Sequence, residues 1–193
     1  MVESLGRLGL EERMAKEMVR ENAHGYRYWI FQSNPDKFCI VDWLKKYYCN
    51  NLSRPDVWSA DRYYNEIKIG DTVFIWKAKG ERCWGKDDKK CWRGIIAVAK
   101  VIDRPNDRIA QEILENEKKY WTDEKYWKQA KEKPQIWIKY TKIIVDVPLK
   151  EDKLIAEGLG NLSILREIPN KTVFKVTNQE GKRIEELIEK LSS

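Results

Sequence analysis

The sequence predicts an α+β fold, a small, strongly curved mixed β-sheet or barrel flanked by helices. Three observations predict it. Four runs dense in β-branched and aromatic residues, "YRYWIFQ", "TVFIWKA", "GIIAVAKVID" and "QIWIKYTKIIVDVP", read as strands. Their order lacks the βαβ alternation and glycine-rich turns of a doubly wound sheet. The sequence then closes on an amphipathic helix that can cover one face of a sheet. No internal repeat and no low-complexity segment is present in the 193 residues.

Each element follows from local chemistry. Residues Glu11 to Glu21 read as a helix with Met14 and Met18 on one face, stopped by "NAHG". Residues 1–24 are therefore assigned as an N-terminal helical extension and residues 25–193 as the domain. Tyr26 to Gln32 form the first strand. "SNPD" breaks it, and Pro35 can open a helix running to about Tyr48, with Phe38, Val41, Trp43 and Leu44 available for packing. "NNLSRPD" reads as a loop that still holds Trp58, and a short helix is expected from Ala60 to Ile67. The Gly70-Asp71 turn feeds the second strand, "ERCWGKDDKKCWRG" reads as a hairpin tip, and "GIIAVAKVID" is the third strand. The charged stretch Asp107 to Lys133 carries Tyr120, Trp121, Tyr126 and Trp127. A long or bent strand follows it and ends at Pro148. A short helix near Glu151 to Glu157 precedes the last strand. Thr177 or Asn178 caps the final helix, whose Ile184, Leu187, Ile188 and Leu191 share one face.

Composition narrows the function classes. Hydrophobic residues at 42% and charged residues at 35% describe a globular chain, not a disordered one. No apolar run approaches the roughly 20 residues that span a bilayer, and the N-terminus lacks an apolar signal-peptide core, so the chain reads as cytoplasmic without a membrane partner. Its richness in Lys, Glu and Ile suits a thermophile. Cys39, Cys49, Cys83 and Cys91 then default to reduced thiols, with Cys39 and Cys49 packed as small hydrophobes. A cross-strand Cys83–Cys91 disulfide stays open. The single histidine, His24, sits at a helix end, where a C-terminal dipole partner is the expected role. Nucleotide-phosphate, zinc-protease and serine-hydrolase motifs are absent, and no metal or cofactor set is visible, so an enzyme is not expected.

The net charge of +6 is concentrated. Between Lys77 and Arg93 lie the bases Lys77, Lys79, Arg82, Lys86, Lys89, Lys90 and Arg93 against Glu81, Asp87 and Asp88, with Trp84 and Trp92 interleaved. Basic residues among aromatics fit a nucleic-acid surface better than a membrane surface. Nine tryptophans in a chain of this length exceed what a core needs. Trp29, Trp76 and Trp137 fall within strands and Trp43 on the first helix, where packing explains them. Trp58, Trp121 and Trp127 lie in polar segments, as aromatic walls for an unstacked base would.

Five landmarks in order, "YWIFQSNP", "DVWSAD", "IKIGDTVFIW" with "RGIIAVAKVIDRP", "YWTDEKYW" with "PQIWIKYTKIIVDVP", and a "VT" before the closing helix, resemble the PUA-like superfamily in its EVE and YTH branches. The resemblance covers roughly residues 26 to 191. It implies a small β-barrel with flanking helices that binds DNA or RNA and often reads a modified base. By position in that pattern, Trp58, Trp121 and Trp127 would cage the base, and Ser33, Asn34 and Ser59 would supply polar contacts. Where YTH domains place an Asn or Asp against the adenine ring, this chain has Phe38, with Asp36 nearby. A modified cytosine therefore stays open beside N6-methyladenine. The nucleic-acid backbone would be held by the Lys77–Arg93 cluster together with Arg54, Arg62, Arg166 and Lys171.

The architecture also resembles the DNA-reading N-terminal domains of McrB-type modification-dependent restriction systems. The leading expectation is accordingly a DNA-binding module that reads a flipped, methylated base for a GTPase motor or nuclease effector. Two alternatives stand beside it: a reader of modified RNA, and a small-molecule or nucleoside-sensing regulatory domain. The last would need the pocket but not the basic surface.

Overall fold

A computed structural model of the protein describes residues 28–60, 62–80, 92–166 and 171–191. The expected N-terminal extension and most of the hairpin tip lie outside the described residues. So do His24, Arg82, Cys83, Lys86, Lys89, Lys90 and Cys91.

The chain forms seven strands: β1 (Tyr28–Ser33), β2 (Pro55–Ser59), β3 (Thr72–Lys77), β4 (Gly94–Ile102), β5 (Gln135–Ile143), β6 (Leu149–Lys150) and β7 (Val173–Val176). Its helices are α1 (Ile40–Tyr47), α2 (Asp107–Lys118), α3 (Glu124–Lys131), α4 (Glu151–Leu154), which continues as a wider π turn to Leu159, α5 (Ser163–Arg166) and α6 (Asn178–Lys190). The sheet runs β2-β5-β4-β3-β1-β7, with β6 beside β4. The β1–β3 pair is parallel and every other pair antiparallel. The mixed, helix-flanked sheet is thus present as an open half-barrel. Its two edge strands, β2 and β7, do not pair.

β1 and β3 carry unbroken apolar runs because both of their faces are covered. Alternation sends Trp29, Phe31, Val73 and Ile75 to the core that contains α1, and Tyr28, Ile30, Phe74 and Trp76 to the core under α6. Helix α6 begins with the expected Thr177 cap, reinforced by Glu180 in a reciprocal capping box, and buries Ile184, Leu187 and Ile188. It approaches β1 closely at Gly181, where an added Cβ would stand 2.2 Å from Tyr28 Cγ.

Four local expectations need correction. Trp58 lies not in a loop but in edge strand β2, paired with Ile136 of β5. Pro55 begins that strand, a position where its missing N–H is tolerated. Among the described residues, no helix forms between Ala60 and Ile67. Tyr63 adopts φ 60° and its carbonyl closes tight turns onto the amides of Glu66 and Ile67. The Tyr63 ring is held there against Trp29, with Lys175 over its face. Helix α1 starts at Ile40, five residues after Pro35, because Asn34 to Phe38 are used in a turn. Finally, Cys39 is disulfide-bonded and Cys49 is an exposed thiol. Both flank α1 rather than occupy its apolar face, so neither packs as a core hydrophobe.

Candidate functional site

A cavity of about 290 Å³ opens where the half-barrel fails to close. One wall comes from β2, the opposite wall from the end of β1 and from Lys171 and Thr172 ahead of β7, and the roof from α2 and α3. This size falls near the lower end of small-ligand pockets and suits one planar, base-sized group.

Trp58 is half-buried in the β2 wall. Its ring tilts against Phe31 of β1 with centroids 5.9 Å apart, and its indole N–H donates to the Tyr140 hydroxyl at 3.4 Å. Tyr140 donates in turn to Asp56, which is two residues from Trp58 and therefore on the same face of β2. Asp56 is buried and also accepts from Trp43 Nε1 at 3.2 Å and from the Val57 amide at 2.9 Å. Burial raises the Asp56 carboxyl above its usual range, and these hydrogen bonds oppose that rise. Burial and the neighbouring Asp56 charge push the Tyr140 hydroxyl well above its usual value, so it stays protonated as a donor.

Trp121 forms a second wall at the α2–α3 junction. Its ring lies 5.0 Å from that of Phe38, with which it also shares a β-bridge. The turn after β1 is bound to this junction by Cys39 N–H to Tyr120 O, Thr122 N–H to Lys37 O and Thr122 Oγ1–H to Asp36 O. Trp121 Nε1 donates to Glu117 Oε1 at 3.2 Å. Glu117 is a cavity-lining carboxyl only 9% exposed. Desolvation, with the nearby Asp56 charge, pushes it up to about 8, against the opposing pull of the Trp121 hydrogen bond and Lys131.

The structure brings several of the sequence-selected residues to this cavity: Trp58, Trp121, Ser33, Asn34, Ser59 and Lys171 all line it. Asn34 Oδ1 accepts the Asp36 amide and shapes the turn, and Ser59 Oγ donates to Ala130 O, joining β2 to α3. Asp36 and Trp127 do not line the cavity. The Trp127 ring has Lys118 and Lys131 ammonium groups 4.7 and 4.5 Å from its centre, and Tyr126 lines the cavity from α3 instead. Glu117, Asp56, Tyr126 and Lys37 were not singled out by sequence reading as site residues of this cavity. Only the placement of two carboxylates and a tyrosine beside tryptophans in polar segments could have signalled them.

The basic residues divide. Lys77 is fully buried, donates to the carbonyls of Ala78 and Trp92, and lies 4.1 Å from the Trp92 ring centre. It is an internal cation, placed where no phosphate can reach it. Arg93 makes a two-point ion pair with Glu151, and Arg54 pairs with Glu112 while covering Tyr47. Arg62 lies over Tyr63, and Arg166 and Lys79 are exposed. Around the cavity the cations are Lys37, Lys133 and Lys171.

Among the described residues, no group of three or more His, Cys, Asp or Glu side chains is placed to hold a metal ion. No helix among them is long and apolar enough to cross a membrane.

Comparison with curated proteins gives no match. Several solved structures resemble the chain. A hypothetical protein of Leishmania major is 18% identical, covering 86% of this chain and 96% of that one, with a TM-score of 0.50. Human THYN1, solved in complex with DNA containing 5-methylcytosine, is 12% identical over 83% of this chain and 96% of that one, with a TM-score of 0.49. A protein of Pseudomonas syringae is 18% identical over 83% and 98%, with a TM-score of 0.49. The EVE domain family model matches residues 27–187, nearly the whole described fold. The chain therefore belongs to the EVE domain family.

Proposed function

We propose that this EVE domain binds nucleic acid by taking one flipped, methylated base into the cavity between Trp58 and Trp121, with N6-methyladenine in DNA as its target. The observation that carries the reading is a base-sized cavity with two tryptophan walls and Lys37, Lys133 and Lys171 around it. The energetics are adequate. Extruding a base costs a few kcal/mol. Stacking returns about 1–3 kcal/mol per base on an aromatic face. Two walls can offset the extrusion, and the lysines add salt-sensitive attraction to phosphates. Burying one methyl group contributes only about 0.8 kcal/mol, or about fourfold, so discrimination is modest unless easier unpairing of the modified base adds to it. In this reading the domain targets a modification-dependent restriction system, and a GTPase motor or nuclease acts on the DNA it marks.

The test is fluorescence-polarisation binding to matched DNA and RNA oligonucleotides, unmodified or carrying N6-methyladenine or 5-methylcytosine, at two salt concentrations. Preference for methylated DNA that is lost in Trp58→Ala is the expected result. Equal, salt-sensitive binding to every oligonucleotide, unchanged in Trp58→Ala, overturns it. Preference for the RNA series would assign the domain to modified RNA.

A further inference from the structure

Glu117 is a carboxyl set into the wall of a ligand cavity. It comes from the last turn of α2, is more than nine-tenths buried, and lies against the cavity beside Trp121. Its two oxygens have different surroundings. Oε1 accepts the Trp121 indole N–H, which fixes the carboxyl plane relative to the aromatic wall. Oε2 makes no hydrogen bond to the described residues. That oxygen is not among the polar atoms sealed off without a partner, so it is open to the cavity and takes its partner from whatever occupies it.

We infer that Glu117 reads the hydrogen-bonding edge of the bound base as a neutral carboxylic acid, donating from Oε2 to a lone pair on a ring nitrogen or carbonyl oxygen. This deepens the base-reading proposal and rests on it. The geometry suits the task because Trp121 both stacks on the base and orients the group that reads its edge. Oε1 keeps one lone pair for an amino or imino hydrogen of the same base, so the carboxyl offers a donor and an acceptor side by side. The amino-and-ring-nitrogen edge of adenine or cytosine is the complement of that pair.

The groups facing Glu117 favour the neutral form on balance. Asp56, across the cavity on β2, adds a like charge, and Tyr48 at the end of α1 is a neutral hydroxyl. Lys131 on α3 pulls the other way, as does the Trp121 N–H, and burial outweighs both. Lys37, Lys133 and Lys171 are the remaining charged groups lining the cavity among the described residues. With the carboxyl held to about 8, Glu117 carries its proton at neutral pH. Once ionised it would present a negative oxygen to a lone pair, which repels.

The experiment is binding of single-stranded oligonucleotides carrying N6-methyladenine, 5-methylcytosine or thymine at one position, at about pH 6.5 and about pH 9, by wild type, Glu117→Gln and Glu117→Ala. Thermal melts at each pH establish that the proteins are folded. Wild type should lose about tenfold in affinity for its preferred base between the two pH values. Glu117→Gln, which keeps a neutral donor and acceptor, should bind with no such loss, and Glu117→Ala should be weak at both. The thymine arm separates a ring-nitrogen acceptor from a carbonyl acceptor. Wild-type affinity that is equal at the two pH values overturns the Glu117 inference while leaving the base-reading proposal standing. So does a fall of the same size in Glu117→Gln. Wild type that favours no base at either pH overturns both.

Discussion

The indole N–H of Trp58 donates to the hydroxyl of Tyr140 across the β2–β5 pair, at 3.4 Å. Tyr140 is anchored on Asp56, so the candidate base-stacking ring is oriented through a buried polar chain and not by packing alone. Such a chain keeps an exposed wall in one attitude before any ligand arrives, which lowers the ordering cost of binding.

Tyr140→Phe removes the acceptor for Trp58 and one donor to Asp56 while preserving ring volume. Stability should fall by about 1–3 kcal/mol, the cost of leaving a buried polar group short of a partner. Oligonucleotide affinity should fall several-fold in the still-folded variant. Chemical denaturation and fluorescence polarisation measure the two effects separately. An unchanged affinity would mean that packing against Phe31 alone holds Trp58.

Glu117 also couples stability to pH. Its proton is bound more tightly in the folded chain, at about 8, than at the ordinary carboxyl value of 4.5. The sign follows from linkage. This contribution is complete below the ordinary carboxyl range, is lost as pH rises towards about 8, and changes no further above it. Melting temperatures across that window should decline less steeply for Glu117→Gln than for wild type. Parallel profiles would show that Glu117 titrates normally.

Surface and internal cations should behave differently. Lys37→Ala with Lys171→Ala, both at the cavity, should reduce the salt slope of DNA binding by about 1.5–2, one contact's worth each. Lys77→Met should leave the slope unchanged and destabilise the fold by about 1–3 kcal/mol, because the carbonyls of Ala78 and Trp92 lose a charged donor. Binding measured over a range of salt concentrations, with a denaturation curve for each variant, decides it.

Gly181→Ala tests the docking of α6 on the sheet. Alanine normally favours a helix by about 1 kcal/mol over glycine. Here its methyl would meet the Tyr28 ring, which is stacked on Phe74 and hydrogen-bonded to Glu185. A net loss of about 1–3 kcal/mol is expected by denaturation, because an overpacked rigid contact outweighs propensity.

The sheet was legible where its strands are buried on both faces, as in Tyr28 to Ser33 and Thr72 to Lys77, since continuous apolar β-formers have few other readings. Edge strand β2 was not. Pro55 and Asp56 are loop signals, and only pairing with β5 makes Pro55 to Ser59 a strand. For the cavity, tryptophans in polar segments were a usable signal for Trp58 and Trp121. The same signal selected Trp127, whose ring is instead flanked by Lys118 and Lys131. One helical position separates Tyr126 from Trp127, about 100° of rotation, and composition does not report which of the two faces the cavity. Glu117 and Asp56 were invisible for another reason. In a chain with 31 acidic residues, only tertiary burial distinguishes a carboxyl in a cavity from one in solvent.

The pairing of β1 with β7 bears on how the protein is made. Tyr28 finds its antiparallel partner only at Val176, and Phe31 at Val173. Contacts of such sequence separation form slowly and late. During synthesis from the N-terminus, β1 and β3 emerge long before the segment around Lys171 and Thr172 that completes the cavity wall. A nascent chain lacking that segment would carry both tryptophans without the part of the wall that Lys171 and Thr172 supply. If the cavity takes a base as proposed, its wall is complete only when β7 has joined β1 in the sheet.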